Sequence, residues 1–320
     1  MRMNCLKPID AWFVRDRKTA NGKRCISFRP PSSLAPSNVG GDYSIRPDIL
    51  LPCGKCVLCR DGQRKQWINR LIAETFDNDA SFLTLTIDND HYLPPTKKPI
   101  QDFLKRFRIS CKRSGKAIPR FKYFFVNEFG SKSARLHYHA IFFGVDLLRD
   151  PFFGAYLATH KVDSRGCRYP VWASRFIERL WPFGFNSVDR CSDRSIRYVA
   201  KYISKSSYDE DAESRAYFPQ WHLYSQRIGT RYFLAGDSLT PFGRSVFSSG
   251  RLLLSRDGFP SRPPKFLDRY AELYEPDLYN SVKASRRAFA RNRKTDWNCI
   301  RGRADSINQK LDLSRRKEIL

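Results

Sequence analysis

Residues 121–144 read FKYFFVNEFGSKSARLHYHAIFFG. Two apolar, aromatic-rich runs flank the short polar loop GSKSA. Runs of this length, joined by a small Gly and Ser loop, predict an antiparallel hairpin. In the second run His137 and His139 stand two apart, so both leave one face of the strand and Tyr138 leaves the other. The AIFF that follows is strongly apolar and predicts a central strand. Polar side chains on a central strand need a reason. Two imidazoles on one face make a bidentate platform for a metal ion. Glu128 ends the first run and comes close to His137 or His139 across the hairpin, which makes it the candidate third ligand. Two histidines and a carboxylate leave open positions on a divalent ion, where a phosphate oxygen can bind and be polarised. Alone, Glu128 reads as a surface carboxylate near a turn; its assignment rests on the pairing.

Outward from the hairpin, helices and strands interleave. FLTLTID (82–88) predicts a buried strand with Leu83, Leu85 and Ile87 on one face and Phe82, Thr84 and Thr86 on the other. IQDFLKRFRISCKRSGK (100–116) predicts an amphipathic basic helix with Phe103, Leu104 and Phe107 as its stripe and Gly115 as its stop. DGQRKQWINRLIAETF (61–76) carries Trp67, Ile68, Leu71, Ile72 and Phe76 at helical spacing. VWASRFIERLW (171–181) reads as a helix and FGFNSVDR (183–190) as holding a short strand. SDRSIRYVAKYISK (192–205) reads as a helix capped by Ser192 or Asp193. This interleaving around a hairpin favours an α+β fold with an antiparallel sheet over a doubly wound parallel one.

The ends of the chain differ in texture. Residues 1–52, above all RPPSSLAPSNVGGDYSIRP, have loop chemistry and little expected regular structure. The acidic stretch SSYDEDAES (206–214) is a linker candidate, and mixed loops and a basic tail with RRAFARNRK and SRRKE follow. The expected division is 1–75, a loop-rich N-terminal segment; 76–206, the core domain; and 207–320, a basic C-terminal region. That region is the candidate for non-specific DNA contact, with Tyr270, Tyr274 and Tyr279 as either core or base-stacking residues.

Charge narrows the function. The chain has 58 Lys and Arg against 32 Asp and Glu, a formal net charge of +26. Self-repulsion at that charge calls for a polyanionic partner. Nucleic acid is favoured over an anionic membrane surface, because no long basic helix has a clean apolar face. No apolar run is long enough to span a bilayer or serve as a secretory signal, so a cytosolic protein is expected.

Four residues of YVAKYISK (198–205) need explaining: Tyr198, Lys201, Tyr202 and Lys205. Projected at about 100° per residue, Ile196, Val199, Ala200 and Ile203 form one face, and the tyrosines and lysines are assigned to the opposite one. Tyrosines at i and i+4 are neighbours. A phenol becomes a useful nucleophile when its phenolate is stabilised or its electrophile is polarised. Lys201 and its neighbours can do the first or neutralise a phosphate, and a metal can do the second.

Nine cysteines is an odd number, and Cys53, Cys56 and Cys59 form CxxCxxC. In a reducing compartment this suggests a metal site or free thiols, not a disulfide framework. Three close thiolates suggest a structural Zn²⁺ needing one more ligand, for which Cys5 is first choice and Cys25 second. Such an ion would tie the N-terminal segment to the core.

HYH at 137–139 followed by YVAKYISK, with FLTLTID upstream, resembles the HUH endonucleases, tyrosine transesterases of single-stranded DNA. The paired tyrosines, together with PCGKCVLCR and the basic tail, resemble the rolling-circle replication initiators of the gokushovirus-type microviruses. The resemblance spans roughly residues 50–206, with Tyr138 where the family more often has an aliphatic residue. It implies a ferredoxin-like antiparallel sheet with the His pair on a central strand. His137, His139 and Glu128 would hold Mg²⁺ or Mn²⁺ against the scissile phosphate. One tyrosine, with Tyr198 favoured by its spacing to Lys201, would attack origin DNA, link to the 5′ phosphate and free a 3′ OH. The second would attack after one round, and the circle would be resealed without ATP. Expected partners are single-stranded and origin DNA and a host DNA polymerase, in the host bacterial cytoplasm. The sequence lacks a G-x-x-x-x-G-K-[ST] motif, so unwinding falls to a host helicase. Two other readings stay open: a plasmid initiator, relaxase or transposase of the same chemistry, and a non-catalytic zinc-containing nucleic-acid binder.

Overall fold

The computed structural model describes residues 5–19, 24–29, 47–76, 78–130, 135–162, 166–205, 220–254, 261–291 and 297–319. The chain divides into two compact units, one of Met1–Gly62 with Ala284–Lys317 and one of Gln63–Lys283 with Glu318–Leu320.

The first unit contains a three-stranded antiparallel sheet of β1 (Ile9–Lys18), β2 (Arg24–Ser27) and β3 (Ile49–Leu51), with β1 in the middle. This corrects the expectation of little regular structure before residue 52. Proline, serine and glycine crowd the interval 30–46, which lies outside the described residues, while the flanking IDAWFVRDRK and RCIS are rich enough in apolar and β-branched residues to pair. The core of this unit gathers Cys5, Cys56, Val57 and Leu58 with Ile300 and Ala304 of the last helix.

The second unit is built on a seven-stranded sheet. Its centre comprises β4 (Ala80–Thr86), β5 (Lys122–Phe129), β6 (Leu136–Phe143) and β9 (Asn186–Arg190), in the spatial order β5-β6-β4-β9 with every neighbour antiparallel. Helix α2 (Lys98–Arg113) leads from β4 to β5 with β6 between them. The path from β6 to β9, containing α3 (Arg175–Leu180), straddles β4 in the same way. Two interleaved split crossovers of this kind give an antiparallel sheet that can be covered by helices.

Period-two alternation sends the strand side chains into two separate cores. Leu83, Leu85, Phe125, Tyr138, Ala140 and Phe142 pack with Phe103 and Phe107 of α2 and with Phe176 and Ile177 of α3. Phe124, Val126, Ile141 and Phe143 pack on the other face with Ile68, Leu71 and Ile72 of α1 (Val57–Thr75) and with Ile196, Val199 and Ala200 of α4 (Asp193–Lys205). The helix over 98–113 keeps its expected stripe, adds Ile100 and Cys111 to it, and is followed by Gly115 at φ 70°. Ser192 caps α4: its Oγ accepts from Ser195 N at 3.2 Å, and its carbonyl accepts from Ile196 N at 2.9 Å.

Three local expectations change. VWAS (171–174) is strand, not helix, because α3 starts only where Ser174 Oγ accepts from Ile177 N at 3.2 Å. It belongs to β8 (Arg168–Ser174), which pairs with β7 (Ala155–Val162) at one edge of the sheet. At the other edge, β10 (His222–Tyr224) pairs with β5, so a strand from beyond residue 206 joins the central sheet. The later segment is not mainly loop: it holds α5 (Pro241–Ser249), α6 (Phe266–Tyr274), α7 (Pro276–Arg291) and α8 (Trp297–Ile319). The hairpin residues 131–134 and the acidic linker 206–214 lie outside the described residues. Among the described residues no helix is long and apolar enough to cross a membrane.

Candidate active site

Register brings the first part of the site together. Glu128 pairs with His137 and Val126 with His139 across β5 and β6, while Thr84 of β4 pairs with His139 from the other side. All the polar members therefore share the sheet face that α4 covers, and Tyr138 is fully buried on the other. His139 Nε2 lies 2.8 Å from Glu128 Oε2, and Thr84 Oγ1 lies 3.0 Å from its Nδ1. His137 donates Nδ1–H to the Arg135 carbonyl at 2.9 Å. Each ring thus has Nδ1 engaged, leaving Nε2 as the nitrogen it offers to a ligand. A ring nitrogen anchored on a carbonyl or hydroxyl is the usual support of a metal-binding histidine.

Helix α4 supplies the second part. Tyr198 is partly exposed and donates its hydroxyl to Glu128 Oε2 at 2.9 Å, with His139 Nε2 3.4 Å away. The rings of Phe82, Tyr198 and Tyr202 surround His139, with centroids 5.8, 5.1 and 6.1 Å from it. Lys201 sits between the tyrosines in sequence and is half-buried.

Tyr202 corrects the helical projection. It is buried at 3% exposure, in the same cluster as Ile196, Val199 and Ile203, and not on the face opposite them. The reason is angular: three residues on from Val199 comes within about 60° of it, at the margin of the apolar stripe. Burial, then the charges of Tyr198 and Glu128, push the Tyr202 phenol far above its usual range. The two tyrosine rings remain neighbours, 5.3 Å apart between centroids.

Glu128 shows the electrostatic balance of the site. Burial pushes its carboxyl up, but hydrogen bonds from His139, Tyr202 and Tyr198 and the charge of His139 outweigh it, holding the group at about 2. It stays ionised at any physiological pH. His137 is shifted down, chiefly by burial, and so stays neutral as a ligand must. The donor set of two imidazoles and an ionised carboxylate fits Mg²⁺ or Mn²⁺ with open positions. It is not drawn closed, however. Among the described residues, the one group of three or more His, Cys, Asp or Glu whose ligand atoms all lie within 4.8 Å of each other is a set of cysteines.

Sequence reasoning misses Thr84 and Phe82 as site residues. Their signal is available, since both fall on the non-core face of FLTLTID. What it lacks is the β4–β6 register that puts Thr84 beside His139.

Residues 80–207 match the family model for the Replication-associated protein ORF2 family. That span runs from the start of β4 to just past the end of α4 and includes every residue of the site. The chain is 27% identical to Replication-associated protein ORF2 of Spiroplasma virus 4, over 84% of its own length and 81% of the relative's. The chain is a relative of phage replication-associated proteins. Two more share the likeness. Replication-associated protein ORF4 of Chlamydia phage 1 is 29% identical, covering 79% of this chain and 63% of that one. Replication-associated protein VP4 of Bdellovibrio phage phiMH2K is 25% identical, covering 84% and 77%. No solved structure matches this relative of theirs.

The cysteine set is Cys5, Cys53, Cys56 and Cys59, the CxxCxxC triad with its first-choice fourth member. Cys25 lies on β2 and is not part of it. Cys5 and Cys56 Sγ are 3.8 Å apart. Backbone N–H groups of Cys53, Cys56 and Leu6 point at the sulfurs of Cys5, Cys53 and Cys56 at 3.3, 3.3 and 3.4 Å. Burial works against a thiolate at Cys53, yet the N–H groups of Cys56 and Lys55 outweigh it and lower the thiol to about 7. Burial raises Cys5 and Cys59 instead. Four sulfurs at this spacing can hold a zinc ion in a closed tetrahedral site.

Proposed function

We propose that this chain is a rolling-circle replication initiator with an HUH-type endonuclease core, cutting and rejoining single-stranded origin DNA by tyrosine transesterification. The observation that carries the reading is the convergence of Tyr198, from a separate helix, on Glu128 and His139 at 2.9 and 3.4 Å. The names of its relatives, which are replication-associated proteins, and the net charge of +26 support it. The strand order β5-β6-β4-β9 supports the ferredoxin-like form of the core.

In this reading His137, His139 and Glu128 would hold Mg²⁺ or Mn²⁺, which supplies Lewis-acid polarisation of the scissile phosphate. The Tyr198 oxygen bonds to phosphorus as the bond to the 3′ oxygen breaks, leaving a 5′-phosphotyrosine and a free 3′ OH. Glu128 is the acceptor on hand for the phenol proton, and a carboxyl held at about 2 passes the proton on to water. The ester keeps the energy of the phosphodiester, so the reverse transfer reseals DNA without ATP. Lys201, half-buried on the same helix, is proposed to neutralise phosphate charge. Tyr202 is the second nucleophile. It is buried and protonated in this arrangement, so Tyr198 makes the first cut. The extended 3′ end belongs to host polymerase and the unwinding to host helicase.

The test is a denaturation-resistant adduct between the protein and a single-stranded oligonucleotide pool in Mn²⁺. Tyr198→Phe is expected to lower its rate on the order of 10³-fold or more, and Tyr202→Phe to leave the first cut within about threefold. No adduct from the unaltered protein on a pool containing the phage origin would leave the zinc-containing binder as the better reading.

A further inference from the structure

The β7–β8 hairpin is longer than the sheet that carries it. It pairs from Ala155 with Ser174 out to Val162 with Arg168, whereas β8 meets β9 only at Trp172 with Val188. The outer part therefore runs on as a two-stranded ribbon with no third strand. Thr159–Val162 and Arg168–Pro170 are exposed at every position, so neither face is covered. Two strands alone are marginal in water, and this pair also exposes Val162 at 65% and Tyr169 at 45%.

The ribbon is basic. His160, Lys161 and Arg168 lie on it, and no described residue of either strand is acidic; residues 163–167, DSRGC in sequence, add one charge of each sign. Register puts His160, Val162, Arg168 and Pro170 on one face and Lys161 with Tyr169 on the other. Neither face is an apolar stripe of the kind a protein partner would bury, and a ribbon exposed on both sides has no groove to cradle a single strand. Four residues of strand extend roughly 13 Å. A two-stranded ribbon fits a DNA major groove about 12 Å wide.

We propose that residues 159–170 form an arm that enters the major groove of duplex DNA, with Lys161 and Arg168 on its phosphates. Only the reason that duplex is encountered rests on the initiator reading. The arm leads away from the cutting site. Val188 pairs with Leu83, and β8 residues before Trp172 continue past the Ser81–Arg190 end of the sheet, while His139 pairs at Thr84 toward the other end. Cutting and duplex holding are thus assigned to separate stretches of one substrate.

The test measures binding alone, with the full chain in chelator, so that cleavage plays no part. The probes are a random 30-base-pair duplex and a 30-nucleotide single strand, each titrated across a series of salt concentrations. Lys161→Ala with Arg168→Ala is expected to weaken duplex binding roughly 10- to 100-fold near 0.1 M salt and to reduce the salt slope by about 2. Single-strand affinity should stay within about twofold. Lys161→Arg with Arg168→Lys should keep the parent slope, and an unchanged thermal melt would show that the variants fold. An equal loss on both probes, no loss on the duplex, or a parent protein that does not bind duplex would overturn the proposal. Failure of the adduct assay would not, which keeps the two readings separable.

Discussion

The histidine strand pair and the cysteine set are two metal-type donor groups built on opposite principles. Cys5, Cys53, Cys56 and Cys59 have their sulfurs gathered within 4.8 Å and backed by N–H groups. Every donor faces the others, and nothing but an ion fits between them. On β5 and β6 the donors remain spread over a strand pair, two of them bonded to each other, with Tyr198 in contact. A closed set suits an ion that holds structure, and an open one suits an ion that must share its coordination with a substrate. The comparison teaches that donor chemistry alone does not assign a role. The number of positions left free, and what side chain stands next to them, decides it.

Several substitutions can break this contrast. His139→Ala removes the residue that touches Glu128, Thr84 and Tyr198 together, and adduct formation should fall on the order of 10²- to 10⁴-fold while the fold is retained. Loss of stability without loss of rate would make the open site structural. Cys56→Ser should do the converse. One zinc per chain should be lost by metal analysis and the melting temperature should fall on the order of 10 °C. A protein purified without zinc, and unaffected by chelator, would remove the closed site. Thr84→Val keeps the strand but drops the hydroxyl beside His139, and should cost the cleavage rate about 10-fold, read in a metal titration as weaker apparent affinity.

The smallest effect is a pH dependence. Glu128 is held at about 2, below its ordinary 4.5. A depressed carboxyl contributes stability that is full above its unfolded value and is lost as pH falls through the folded one. The metal-free protein should therefore lose stability between about pH 4.5 and 2, and Glu128→Gln should flatten that part of the acid melting profile.

Much of this was legible in the sequence because it depends on short periods. The alternation in LHYHAIFF fixes which histidines share a face, and FLTLTID sorts Leu83 and Leu85 from Thr84 in the same way. The stripe of α2 and the cap at Ser192 are equally local. What was not legible depends on partners distant in the chain. The bond from Thr84 to His139 needs a register between residues 55 apart. Strand β10 is only three residues long and exists because β5 offers it an edge. Tyr202 shows the third kind of failure. A two-sided division of α4 left no margin, and a residue at the boundary goes where the sheet opposite has space, here among Ile196, Val199 and Ile203.

The central claim is that the partly exposed tyrosine, and not its buried neighbour, makes the first cut. The sequence offers a direct way to see it, because trypsin cleaves after Arg197, Lys201 and Lys205 and so releases YVAK and YISK as separate peptides. Mass spectrometry of the tryptic digest of a first-turnover adduct, formed on single-stranded DNA in Mn²⁺, reads which peptide carries the nucleotide. The nucleotide on YVAK, at Tyr198, is the result expected. The nucleotide on YISK alone, or on neither peptide, would contradict the account.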